Sequence, residues 1–214
     1  MRFESLISCW LHPQRVDASL SPADRILFDQ AQEDEALLNR LHRHWSARLI
    51  QDPTLPAVVM WSDPALPLAL LPQEHWSSMI ALGGAVLLAT QVRQTIVAVQ
   101  VQALQAFLGA DLLALVRNGD PAWPTLDVSI LKQPNTKVEL PQACAAWGES
   151  LLWKALQGAD PGIRERAQLR LPARAEAFAH QSLSALPTRS ALDLSLSLIP
   201  RLDPKWLSTF HATH

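Results

Sequence analysis

Residues 73–89 read QEHWSSMIALGGAVLLA, and this run decides the fold. From Met79 to Ala89 it is apolar, but a bilayer-spanning helix needs roughly 20 apolar residues. Gln91, Arg93 and Gln94 follow at once. The run therefore reads as a helix buried in a protein core. Gly83-Gly84 sits inside it, where each glycine costs a helix about 1 kcal/mol against alanine. A close helix crossing explains the pair, because a missing side chain lets two backbones approach. A phosphate-binding loop does not: no lysine follows at the required spacing, and no third glycine completes a dinucleotide fingerprint.

The pattern stays helical further along. Thr95 to Val101 is β-branched, which favours a strand locally, yet Ala103 to Leu108 continues the helical pattern. The whole stretch is read as helix, ended by Gly109, with a short helix from Ala110-Asp111 to Arg117. Asn118-Gly119-Asp120-Pro121 is a turn. A second apolar helix covers residues 142–157, with Trp147, Leu151, Leu152, Trp153 and Leu156, and Gly158 closes it. Asp160-Pro161 opens another helix with a cap followed by proline. An amphipathic helix around residues 190–198 and a turn over 203–210 complete the chain.

Upstream, Ser21-Pro22-Ala23-Asp24 has the same grammar and starts a helix running to Leu49. Five prolines between Asp52 and Pro72 forbid a continuous helix there. Short extended pieces are possible at residues 58–61 and 126–131. The expected fold is mostly α: an irregular, multi-helix single domain over 1–214 with at most one small β element. Its N-terminal part, about 1–72, packs on a main helical core, 73–210. Leu82, Leu87, Phe107, Leu112, Trp147, Leu151 and Leu152 are the expected core.

Composition supports a packed domain. Of 214 residues 49% are hydrophobic and 18% charged, so the chain can bury a core. A formal charge of −2 carries neither a nucleic-acid footprint nor a polybasic membrane patch. The expected partners exclude nucleic acid and direct membrane insertion. Met1-Arg2-Phe3-Glu4 does not read as a signal peptide. Cys9 and Cys144 lie far apart without zinc spacing and suit a reducing compartment. Eight tryptophans and no tyrosine make large apolar anchors, for the core or for a partner surface.

No nucleophile elbow, zinc-protease helix, phosphate loop or Cys/His cluster is present. The expected catalytic, cofactor and metal residues are none. His42 and His44, two apart on a helix, point to different sides and cannot chelate together. Two charged groups remain as binding candidates. Asp29, Glu33, Asp34 and Glu35 form an acidic run on the first helix. Arg164, Arg166, Arg170 and Arg174 can read phosphate or an acidic protein surface; solvation, with an ion pair to Glu165 or Glu176, is the plainer account.

Four stretches carry a resemblance. They are the helix with Leu82-Gly83 and Arg93 at its polar break, and Leu104-Gln105 leading through Phe107-Leu108 to Arg117. Next come Trp123-Pro124-Thr125, and then the Trp147 helix followed by Leu169-Arg170-Leu171-Pro172. In order and spacing, residues 76–172 resemble the SctK family of type III secretion proteins, which includes YscK and PscK. The first 75 residues and those after Pro172 match in character alone. The resemblance implies a cytoplasmic, mostly helical adaptor of the sorting platform beneath the injectisome, peripheral to the inner membrane through the secretion apparatus. Family members connect the cytoplasmic forkhead-associated-like domain of the inner-membrane ring protein SctD to the pod protein SctQ, without known catalysis or cofactor. Two other readings stand beside it. One is a small helical enzyme or ligand-binding protein with a dispersed site. The other is a secretion chaperone, which this length and near-neutral charge disfavour.

Overall fold

The computed structural model describes residues 12, 15, 21–31, 34–49, 62–121, 123–124 and 138–211. Of these, 74% are helical and none is in a strand. Residues 58–61 and 126–131, the two possible extended pieces, lie outside the described residues. The helices given bounds among the described residues are α1 (Pro22–Gln30), α2 (Glu35–Leu49), α3 (Leu66–Ala69), α4 (Gln73–Leu87), α5 (Ala89–Gln94), α6 (Ala98–Leu108) and α7 (Ala110–Asn118). They continue as α8 (Leu140–Leu156), α9 (Pro161–Gln168), α10 (Arg174–Ser182), α11 (Thr188–Leu202) and α12 (Ser208–His211).

The middle and end of α8 are apolar nearly all round, so this helix must be enclosed. It is: α4, α6, α9, α10 and α11 all pack on it, α4 most extensively. The α4–α8 crossing has a specific cause. A Cβ on Gly84 would lie 1.7 Å from the Cys144 carbonyl oxygen, and one on Gly148 would lie 1.8 Å from that of Ile80. Each helix thus sets one glycine against the other's backbone, four residues apart on both sides and in antiparallel order. The glycine hydrogen that takes the Cβ position points at a carbonyl oxygen, the arrangement of a weak Cα–H···O contact. Gly83 differs. A Cβ there meets the Leu151 Cδ2, 3.0 Å away, and a leucine methyl can move.

Around this crossing Trp76, Met79, Leu82, Leu104, Trp147, Leu151, Leu152 and Leu198 form one core, which α3 enters through Leu66, Leu68 and Ala69. Phe107 and Leu112, expected to be fully covered, lie half-buried at its edge. A smaller cluster of Phe28, Ala31, Leu38 and Leu169 seats α1 and α2 on the end of α9. Side-chain and backbone ties fasten distant segments. The indole of Trp206 donates to the Pro67 carbonyl (2.8 Å), and the His12 amide donates to that of Leu169 (2.9 Å).

The helix starts follow the expected chemistry. The Ser21 hydroxyl accepts from the Asp24 amide, and the Asp160 carboxylate accepts from that of Gly162 at 2.9 Å. Gly109 ends α6 with φ 81°, a conformation that glycine adopts without strain. Two expectations need correction. The first helix does not run unbroken to Leu49: α1 ends at Gln30, and Asp34 caps a new helix by accepting from the amides of Ala36 and Leu37, each 3.0 Å away. Nor is residues 95–101 continuous helix. Thr95, Ile96 and Val97 are three β-branched residues in a row, and the chain leaves the helix there before α6 begins.

Gly84→Ala and Gly148→Ala are each expected to destabilise the protein by roughly 3 kcal/mol or more, because backbone cannot yield as a side chain does. Gly83→Ala is expected to stay within about 1 kcal/mol, its helix-propensity gain offsetting a small shift of Leu151. Urea denaturation of the three variants measures the difference.

Candidate functional site

The two charged groups have different fates in the fold. The acidic run straddles the break between α1 and α2. Asp29 is exposed in the last turn of α1, at the negative end of that helix dipole, so the dipole does not account for it. Asp34 is exposed but engaged as the cap of α2. Glu35 is the first residue of α2, and Glu33 lies outside the described residues. Exposed Ile26, Leu27 and Leu37 share these two helices with the acids.

The arginine set is not one surface. Arg166 and Arg170 are buried, at 9% and 7% exposure. Arg166 donates to the Gly162 carbonyl of its own helix at 2.9 Å. Arg170 donates to the carbonyls of Ala69 (3.1 Å) and Leu71 (2.8 Å) and to the Gln73 side-chain oxygen (3.0 Å). Its guanidinium also lies 3.9 Å from the ring centroid of Trp76. Arg170 thus satisfies carbonyls left open at the end of α3 and locks that turn against α4. Arg164 is half-exposed on α9.

Arg174 pairs with neither Glu165 nor Glu176. Its Nε and Nη2 reach the two carboxylate oxygens of Glu149 at 3.1 and 2.9 Å, a fork-to-fork contact. Glu149 is a buried acid on α8, and this hydrogen bond raises the already high arginine pKa further. The sequence reading missed Glu149. Its signal was present, a single acid inside the apolar run AAWGESLLW, which needs a cation wherever it is buried.

Beside this pair lies a pocket of about 200 Å³, lined by Ala146, Ser150, Ala175 and Phe178 among others. Its lining is mostly apolar, with Ser150, Gln181 and the ion pair as the polar groups, so it suits a small, largely apolar group. The Ser150 hydroxyl donates to the Ala175 carbonyl at 3.2 Å and is not aligned with a base. His12 is near enough for Glu149 and Arg174 to act on its charge, and burial, the largest influence, lowers its pKa.

Two further side chains with reactive groups, Cys144 and His42, are packed in the interior. Burial pushes the Cys144 thiol up to about 12, so it stays protonated. His42 is 5% exposed and edge-on to Phe28, with ring centroids 5.4 Å apart. Burial lowers its pKa to about 4, so at physiological pH it is a neutral part of the small cluster. Among the described residues no group of three or more His, Cys, Asp or Glu is placed to hold a metal ion. No single described helix is long and apolar enough to cross a membrane. Helices α6 and α7 reach that character only as a pair bent by 111°.

One further surface was invisible to the sequence reading. Ile96, Val97 and Val99 are 86%, 56% and 74% exposed, at the connection into α6 and its first turn. No protein-family model matches the sequence, and no curated protein or solved structure is similar to it.

Arg170→Ala is expected to cost roughly 2–4 kcal/mol, because it strands buried carbonyls. Arg164→Ala is expected to change stability by less than about 0.5 kcal/mol. Thermal and chemical unfolding of both variants separates the structural arginine from the surface one.

Proposed function

We propose that this protein is a non-enzymatic structural adaptor of the type III secretion sorting platform. In this reading it links the cytoplasmic forkhead-associated-like domain of the ring protein SctD to the pod protein SctQ. The observation that carries it is the placement of the four stretches that resemble the SctK family. Leu82, Leu104, Leu108, Trp147 and Leu171 belong to one core, so the resemblance follows the framework of a single fold and is not scattered. The surface supports a protein-binding role: large apolar side chains stand exposed on α1, α2 and α6.

Because the resembling positions are mostly framework, partner contacts belong on residues outside them. The acidic run meets that condition. Asp29 has no helix-dipole role, and its neighbours Ile26 and Leu27 offer apolar area beside it. Polar docking there lets electrostatics set rate and register. Of the arginine set, Arg164 and Arg174 remain available at the surface, Arg174 already paired with Glu149. A ligand-binding reading has one observation in its favour, the small apolar pocket beside Glu149 and Arg174.

Reversal of Glu33 and Glu35 to lysine is expected to weaken binding to the isolated SctD cytoplasmic domain, while the melting temperature falls only by the small loss of a favourable charge at the positive end of the α2 dipole. Wild-type binding is expected to weaken as salt shortens the Debye length below about 10 Å. Calorimetric titration at low and high salt checks both. Affinity unchanged by the double reversal removes the acidic run from the interface, and no binding to either SctD or SctQ refutes the adaptor reading.

A further inference from the structure

Two apolar interiors exist among the described residues, and they are joined thinly. The main core draws on every helix from α3 to α11. The small cluster of Phe28, Ala31, Leu38 and Leu169, with Leu41 and Trp45 at its edge, serves α1 and α2 instead. Of its described members, Leu169 alone belongs to the rest of the fold. Leu38, Leu41, His42 and Trp45 follow a spacing of three, four and seven residues, so they share the face by which α2 is seated. Three of the four are apolar. The fourth is an imidazole, buried and set edge-on to Phe28 of α1. A neutral ring fits this place as another aromatic would. A protonated one does not, because a charge inside an apolar cluster loses its hydration.

We infer that the seat of α1 and α2 is an acid-sensitive latch: protonation of His42 releases these two helices from the end of α9 while the main core stays folded. The described charges on the packed elements do not offset the burial. On α1, Arg25 and Asp29 are exposed, and Asp24, half-exposed, accepts from the Ser21 hydroxyl. On α2, Arg40 and His44 are exposed. Near the end of α9, Glu165 is half-exposed, Arg166 donates to the Gly162 carbonyl, and Arg170 donates to those of Ala69 and Leu71. It is burial that lowers the His42 pKa, from 6.5 to about 4.

The direction follows from linkage. Once released, the ring returns to its ordinary value, so the open form takes up a proton that the closed form refuses. The latch holds fully above about pH 6.5 and loses its hold as pH falls from there through about 4. The opening constant rises about tenfold by roughly pH 5.5 and approaches roughly 300-fold below pH 4. A seat made of so few side chains is of low stability to begin with, so a change of this size opens it before the main core. Asp29, Asp34, Ile26, Leu27 and Leu37 ride on these helices and move with them. The latch itself does not depend on the adaptor reading.

Native-state hydrogen exchange of the full chain, resolved by residue from about pH 7.5 to about pH 4.5 and corrected for intrinsic exchange, tests it. Amides of α1 and α2 are expected to lose protection by about tenfold per pH unit below roughly pH 6, while those in the middle of α4 and α8 stay closed. His42→Phe and His42→Gln, two neutral replacements of different shape, are expected to remove the slope. His44→Gln, at an exposed ring, is expected to keep it. Titration of the wild type by NMR, which needs no variant to fold, is expected to show the His42 ring still neutral at about pH 5.5 in the closed form. Protection of α1 and α2 that is flat in pH overturns the inference, as does a slope that both His42 variants retain. So does a His42 ring that protonates near its ordinary value in the folded protein, or an opening of α4 and α8 together with α1 and α2, which makes the event global unfolding.

Discussion

Two backbones in contact organise this molecule. Where α4 meets α8, Gly84 faces the Cys144 carbonyl and Gly148 faces that of Ile80, each at a distance that excludes any side chain. Most helix pairs separate by the thickness of interleaved side chains. Here the separation is set by main chain on both sides, which leaves little freedom in angle or register. With that crossing in place, Leu82, Leu151 and Leu152 are carried into one interior, and α10 and α11 close over α8. The cost of glycine in two helices is about 1 kcal/mol per residue, and the dense contact at the crossing offsets it.

Polar groups inside the fold follow from this packing. Enclosing α8 on nearly every side buries Glu149, so Arg174 at the start of α10 must reach it. Enclosing α3 leaves its last carbonyls without water, and Arg170 supplies the donors from the turn after α9. Three of the four arginines that suggested a recognition surface thus have partners inside the fold: Arg166 and Arg170 are buried, and Arg174 reaches in to Glu149 from the surface. At the described surface, large apolar side chains stand exposed beside acids on α1 and α2 and at the start of α6.

Local grammar was legible in the sequence, and long-range enclosure was not. Ser21-Pro22 and Asp160-Pro161 announce helix starts because a cap and a fixed proline φ act within a few residues. Gly83-Gly84 announced a close crossing for the same kind of reason. The reciprocal Gly148 drew no notice, since one glycine among apolar residues has meaning only when its neighbour in space is known. A helical wheel says that Arg166 and Arg170 are adjacent. It does not say that both turn inward, because the acceptors of Arg170 lie at residues 69–73, far earlier in the chain. The end of α1 at Gln30 and the break at residues 95–97 were overlooked where apolar spacing outweighed a capping aspartate and a β-branched run. Reading 95–101 as helix also hid the exposure of Ile96 and Val97.

If the α4–α8 contact is the constraint on which the rest depends, it must be the last to open. Native-state hydrogen exchange, resolved by residue and followed through low denaturant, measures this directly. The account predicts that amides in the middle of α4 and α8 exchange only through global unfolding, while those of α1, α2 and α6 exchange through smaller, earlier openings. Amides of α8 that exchange faster than those of α6 or α2 would contradict it.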